Sequence, residues 1–469
     1  MYLCRKQSIP VLRVSIFFLF FTHLLSGQEI KNITLLDNWH EDSLITSSTL
    51  VRYSGCWGFI QDDEEYAIIG STEGSHFFML TTTNTLQPAG FIEGRFNSAQ
   101  VIHREYKTYQ HYAYAICDEG SSSLQIIDLS YLPDSVVKVA DIQDSNFGKV
   151  HNLFIDTANS LMYACLVTPI IGGIPQSLAP MRVFSLADPI NPILLWEGPS
   201  DIPEVHDCYV RDNIAILNCG FNGLRVYDFS NPVSPIYINN LPFYQDQGYN
   251  HQGWLSPDGA TYVFADETTG KRLKKCAVGS DLSIQVTSLF GVNFEENSIP
   301  HNIMCTNDLA FVAYYNEGLR IFDLQHFDRE VGAFDTYTSE SSFQMNGAWG
   351  IYSQYTSNRI IVSDRQNGLF LFDFDRSVFS ESATDVFTCY PNPTAVGSSV
   401  MIRSPNDEIV EFTVELFDAV GKKVRSETVK NQSFLELDEL HTGGSYHLRV
   451  TYENYLQDIM TENLKLVVQ

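Results

Sequence analysis

Basic residues are scarce in this sequence: 29 Lys and Arg stand against 56 Asp and Glu, a formal net charge of -27. The first 27 residues hold Arg5, Lys6 and Arg13 and no acid, so the charge without them is -30. Phosphate recognition needs clustered Lys and Arg, so nucleic acid and anionic membranes are excluded as partners. Paired cysteines are missing too. Nine Cys occur singly and none forms a CxxC, which excludes a zinc ribbon and a thioredoxin-like centre. Cys4 lies in the N-terminal segment. Cys117, Cys165 and Cys219 sit in apolar runs as small core residues. Cys208 and Cys219 are placed to face each other across a hairpin. Catalytic signatures are absent: there is no GxSxG elbow, HExxH, Walker loop, EF-hand spacing or RTX nonapeptide.

Long apolar runs are equally rare. The run Val14 to Leu25 follows a basic start and precedes Ser26-Gly27. It is too short to span a bilayer comfortably, His23 interrupts it, and the pattern predicts a secretory signal peptide cleaved before Gln28. No later segment is long and apolar enough to span, so the mature chain is expected to carry no transmembrane segment.

Aromatics are abundant at 13%, with 31 Phe and 24 Tyr, which together with many Val, Ile and Thr favours sheet. One sentence recurs along the chain. It is clearest in VHDCYVRDNIAILNCGFNGLRVYDF (205–229) and PHNIMCTNDLAFVAYYNEGLRIFDL (300–324). Seven openings are found, at Trp57, His103, His151, His206, His251, His301 and Trp349. Their spacing matches one four-stranded propeller blade. Asp212-Asn213, Asn222-Gly223, Pro257-Asp258-Gly259, Asn307-Asp308 and Asn367-Gly368 mark the turns. The last unit is one strand short, and ITLLDNW (33–39) resembles the fourth strands PILLWEG and PIYINNL. That segment is expected to complete the last blade and so remove an open edge. From Phe387 the pattern changes to about 80 residues of alternating strands, which suit a small β-sandwich.

The expectation is an all-β chain, a seven-bladed β-propeller followed by a small C-terminal β-sandwich domain. Its divisions are a signal peptide (1–27), the propeller (28–378), a linker (379–386) and the C-terminal domain (387–469). The runs YAIIGSTEGSHFF (66–78), HREYKTYQHYAYAICDEGSSSLQIIDLSYLPDSV (103–136), HNLFID (151–156) and LRVYDFSNP (224–232) resemble the choice-of-anchor B family of LVIVD-repeat proteins. The resemblance covers about 31 to 378 and implies an exported propeller-like body, with no established catalytic residues to carry over. The tail begins Tyr390-Pro391-Asn392-Pro393 and continues with ELFDAVGKKV and GGSYHLRV. It resembles the C-terminal sorting domain of the type IX secretion system. That implies the type IX machinery as a partner, secretion or surface attachment, and a Gram-negative bacterium of the Bacteroidota.

His103, His151, His206, His251 and His301 recur at one place per unit. On innermost strands they would converge around one channel as candidate ligands for a divalent Zn, Cu or Ni, with Glu105, Glu204 and Asp207 nearby. The reading favoured over this is one repeated structural hydrogen bond per blade, and the expectation is no response to a chelator. Trp57 and Trp349 occupy the corresponding places in the first and last units, as channel-lining aromatics that stack on a ligand or fill the centre. Asp128, Asp228, Asp323 and Asp373 end third strands as turn caps, and Asp62-Asp63-Glu64-Glu65 is expected to be a solvated turn. The functional expectation is a non-catalytic module that binds or displays an extracellular protein or glycan. The rival is a secreted hydrolase or metal-dependent enzyme with its site at the channel mouth.

Overall fold

The computed structural model describes residues 29–292, 298–325, 328–338, 345–376, 387–404, 411–430, 434–437, 442–453 and 459–469. The segment read as a signal peptide and the linker at 379–386 lie outside the described residues. Among the described residues the structure is all-β, with no α-helix and none long and apolar enough to cross a membrane.

Seven antiparallel sheets of four or more strands follow one another along the chain. The fourth shows how sequence builds each one. Asp207–Arg211 turns back through Asp212 and Asn213, both at positive φ, into Ile214–Asn218. This two-residue turn matches the natural twist of a hairpin, and Asp and Asn tolerate its left-handed backbone. Leu224–Asp228 and Ile236–Leu241 complete the sheet. Asp228 caps the following turn by accepting from Ser230 N at 2.7 Å, and Asp128 and Asp323 do the same for Ser130 N and Gln325 N. The middle strands are buried on both faces, whereas the fourth strand is largely exposed.

The first strands of the seven sheets are Tyr53–Gln61, Arg104–Tyr109, Asn152–Asp156, Asp207–Arg211, Asn250–Leu255, Asn302–Cys305 and Ala348–Tyr352. Each lies beside the first strand of the next sheet, and that of the seventh lies beside that of the first. The N-terminal segment joins two of these sheets. Ile30–Lys31 pairs with Arg329–Phe334 in the sixth, and Ile33–Trp39 pairs with Gly368–Phe374 as fourth strand of the seventh. Asn32, at positive φ, turns the chain between them.

The first and seventh sheets are also tied by side chains. Glu65 is buried and accepts from Ser357 Oγ at 2.6 Å and from Arg359 Nη2 at 2.7 Å. The solvated turn expected at 62–65 is therefore corrected. Asp62 and Asp63 form the turn, but Glu65 points inward to a partner the local sequence does not contain. The Cys208–Cys219 pairing is corrected as well. Cys208 stands opposite Leu217, its Sγ lies 3.8 Å from Cys165 Sγ of the third sheet, and all eight described cysteines are free.

Beyond 387 two further sheets of three and four strands share a core that includes Phe387, Val400, Ile402, Leu416, Leu448 and Val450.

Candidate functional site

The repeated histidines stand at or just before the start of first strands. There the chain enters each sheet with its side chain turned to a common centre. Consecutive ring centroids are 4.2 Å apart for His103–His151, 4.2 Å for His151–His206, 4.3 Å for His206–His251 and 4.4 Å for His251–His301. Trp349 continues the series 4.2 Å from His301 and closes it 5.5 Å from His103. Six rings from six sheets thus make one closed circle.

The first sheet contributes no ring. Between Ala348 and Gly350 a bulge sets Trp349 toward the centre, and a bulge between Asn250 and Gln252 does the same for His251. In the first sheet the bulge lies between Tyr53 and Cys56, and Gly55 sits in it. Trp57 comes two residues later and lies outside the circle. Its ring packs 5.1 Å from Tyr352 under the Lys107 ammonium, and its indole N–H donates to Thr108. The place left open at Gly55 is filled by the Glu105 side chain. A Cβ on Gly55 would come within 2.5 Å of both Arg104 O and Glu105 Cδ. Glu105 accepts from Trp349 Nε1 at 3.1 Å and lies 3.6 Å from His103 Nε2.

The circle divides electrostatically. Burial alone would lower the basicity of His103, but Glu105 outweighs it and the ring is held above the usual histidine range. Burial likewise opposes the Glu105 charge, and the His103 partner holds that carboxyl below the usual range. His151 Nδ1 donates to Asp118 at 2.8 Å. Across the circle, His206 Nδ1 donates to the His251 carbonyl at 3.1 Å and His301 Nδ1 donates to the Trp349 carbonyl at 2.6 Å. A carbonyl only accepts, so each Nδ1 carries the proton and each neutral ring keeps a lone pair on Nε2. Burial and neighbouring histidines push the basicity of both rings well down, and that of His251 to about 3.

Loops that follow second strands supply groups that neither the repeat nor any motif announced. Glu267 follows Thr261–Asp266, and its oxygens lie 3.8 Å from His251 Nε2 and 3.9 Å from His301 Nε2. Burial raises its carboxyl above the usual range, and Tyr315 Oη donates to it. Arg365 lies over the Trp349 ring at 4.7 Å. Two sets of donor atoms lie within 4.8 Å of one another: His103, Asp118 and His151, and His206, His251 and Glu267. Of the neighbours expected from sequence, Asp207 is buried, its carboxyl pushed up to about 7 by desolvation, and Glu204 stands beside Gly220.

In the tail, Tyr390 is exposed and Asn392 clamps the last strand. Its Nδ2 donates to Lys465 O at 2.7 Å, and its Oδ1 accepts from Val467 N at 3.0 Å. Residues 388–462 match the family model described as a secretion system C-terminal sorting domain. The tail is a type IX sorting domain. It implies engagement of the type IX machinery and places the chain outside the cell or on its surface, in a Gram-negative bacterium of the Bacteroidota. No curated protein matches the chain. Two solved structures of B. thetaiotaomicron are similar to it. One is the extracellular domain of BT4673 described as a hybrid two-component system, at 11% identity and TM-score 0.44, covering 92% of this chain and 59% of that one. The other is the same domain described as a one-component system, at 12% identity and TM-score 0.44, covering 92% and 60%. The chain therefore spans about three fifths of the length of the structures it matches.

Proposed function

We propose that the body is a seven-bladed β-propeller, exported through its C-terminal β-sandwich, and that it acts as a non-catalytic extracellular binding module. The observation that carries this reading is the circuit of seven sheets whose first strands adjoin in order, with six rings turned to one centre. The runs that resemble the choice-of-anchor B family agree with it. The binding face is the mouth above the circle, where His151 and Asp118 are partly open to solvent and Tyr249 packs 5.3 Å from His206. An aromatic and acidic mouth suits a sugar or a cationic protein segment, which the strongly acidic chain also favours.

The test is binding of the full mature chain to an array of bacterial and host glycans and to cell-surface protein fractions. Retention that falls in Tyr249→Ala supports the module. Retention equal in both proteins removes the mouth as its site.

The raised carboxyls of buried Asp207 and partly buried Glu267 favour the hydrolase as second reading, because shifted carboxyls collect at catalytic sites. Turnover of ester, glycoside or peptide substrates, abolished by Glu267→Gln, would establish it.

A further inference from the structure

We infer that His206, His251 and Glu267 form a site for one divalent transition-metal ion of the zinc type at the centre of the histidine circle. The inference rests on the axial arrangement proposed above and deepens it by naming a ligand.

Three observations carry it. The ligand atoms of the three residues lie within 4.8 Å of one another. Zinc bonds of about 2.0–2.1 Å place tetrahedral ligands roughly 3.4 Å apart, close to the 3.8 Å that separates His251 Nε2 from a Glu267 oxygen. The donors are also preset. His206 holds its proton on Nδ1 against the His251 carbonyl, which leaves Nε2 free to ligate. Metal-binding histidines are oriented in this way by a partner on the other nitrogen. Glu267 is held by Tyr315 Oη, the corresponding support for a carboxylate ligand. Finally, the Glu267 oxygens face the Nε2 atoms of His251 and His301 at 3.8 and 3.9 Å, so a cation placed between them would meet one carboxylate and two ring nitrogens.

The other half of the circle offers a weaker set. His103 already faces Glu105 at 3.6 Å, and Asp118 already accepts from His151 Nδ1. Imidazole with carboxylate suits zinc, cobalt or nickel rather than calcium, which takes oxygen ligands. His301, with Nε2 3.9 Å from Glu267, stands next to the ion as a further ligand or as the base of a bound water.

The experiment is titration of the chelator-treated full mature chain with Co(II) and then Zn(II), followed by calorimetry and by the visible cobalt spectrum. The expected result is one ion per chain with tetrahedral-type cobalt bands that zinc displaces. Glu267→Gln and His251→Gln should each weaken binding by about 100-fold or more, and Asp118→Asn by less than about threefold. Melting of each variant with chelator, compared with the wild type with chelator, separates loss of a ligand from loss of fold. Failure to take up a stoichiometric ion overturns the inference, as does an Asp118→Asn effect equal to that of Glu267→Gln. Metal uptake is read without any extracellular ligand. A negative result here leaves the binding-module reading standing, and a negative glycan or protein screen leaves the metal site standing.

Discussion

Gly55 and Glu105 share one volume. The glycine holds the first sheet's place in a circle of aromatic rings, and the carboxylate from the second sheet enters the space its missing side chain leaves. Glu105 then bridges Trp349 and His103, so the gap in the repeat is what joins the two ends of the series.

Gly55→Ala should therefore destabilise the protein by about 1–3 kcal/mol through overpacking. Adding Glu105→Ala should recover only part of this, because the Arg104 carbonyl oxygen would still lie 2.5 Å from the new Cβ. Denaturant melts of the single and double variants check it. Full recovery would show that the side chain alone sets the constraint.

Deletion of residues 28–45 should destabilise the whole body, since the seventh sheet loses its fourth strand. Trp39 alone packs 4.7 Å from Phe78 and 4.8 Å from His76 of the first sheet. Losing one such packed Trp costs about 3 kcal/mol or more. Thermal melts of the truncated and full mature chains should differ clearly. Coincident melts would show that this strand does not close the structure.

Removal of Tyr390 to Gln469 should leave a folded body retained in the periplasm. Fractionation of cells that express both forms measures this. Truncated protein outside the cell at wild-type levels would contradict the sorting role of the tail.

His76 should make the first sheet acid-sensitive. Its ring is bonded to Ser71 Oγ at 2.9 Å and packed on Phe91 and Trp39. Burial lowers its pKa to about 4, with Glu41 opposing and Arg104 assisting. The unfolded ring titrates near 6.5, so between about 6.5 and 4 the unfolded chain binds the extra proton. This contribution is complete above pH 6.5 and is lost as pH falls through 4. It is worth about 2 kcal/mol, discounted because the ring is not fully enclosed. His76→Gln should flatten the pH dependence of stability in that window, read from urea melts at pH 4.5 and 7. An unchanged slope would place the acid sensitivity elsewhere.

Much of the local architecture was legible in the residues. The alternation of apolar positions and turns such as Asp212-Asn213 dictates the hairpins, because strand period and left-handed turn geometry are local properties. The recurrence of His103, His151, His206, His251 and His301 carries their common place, since repeated sequence repeats its backbone setting. The sorting tail was legible from its motif and its position. Three things were decided only in three dimensions. Trp57 looks like the counterpart of Trp349, yet the bulge between Tyr53 and Cys56 gives that place to Gly55. Glu65 looks like part of a solvated turn, yet it meets Ser357 and Arg359 from the far end of the chain. Glu267 stands in no repeat motif and becomes central only because the fifth sheet aims its second-strand loop at the circle. Pattern determines which face a side chain takes within its own strand. Which distant side chain it meets depends on the packing of one sheet against the next, and no local periodicity encodes that.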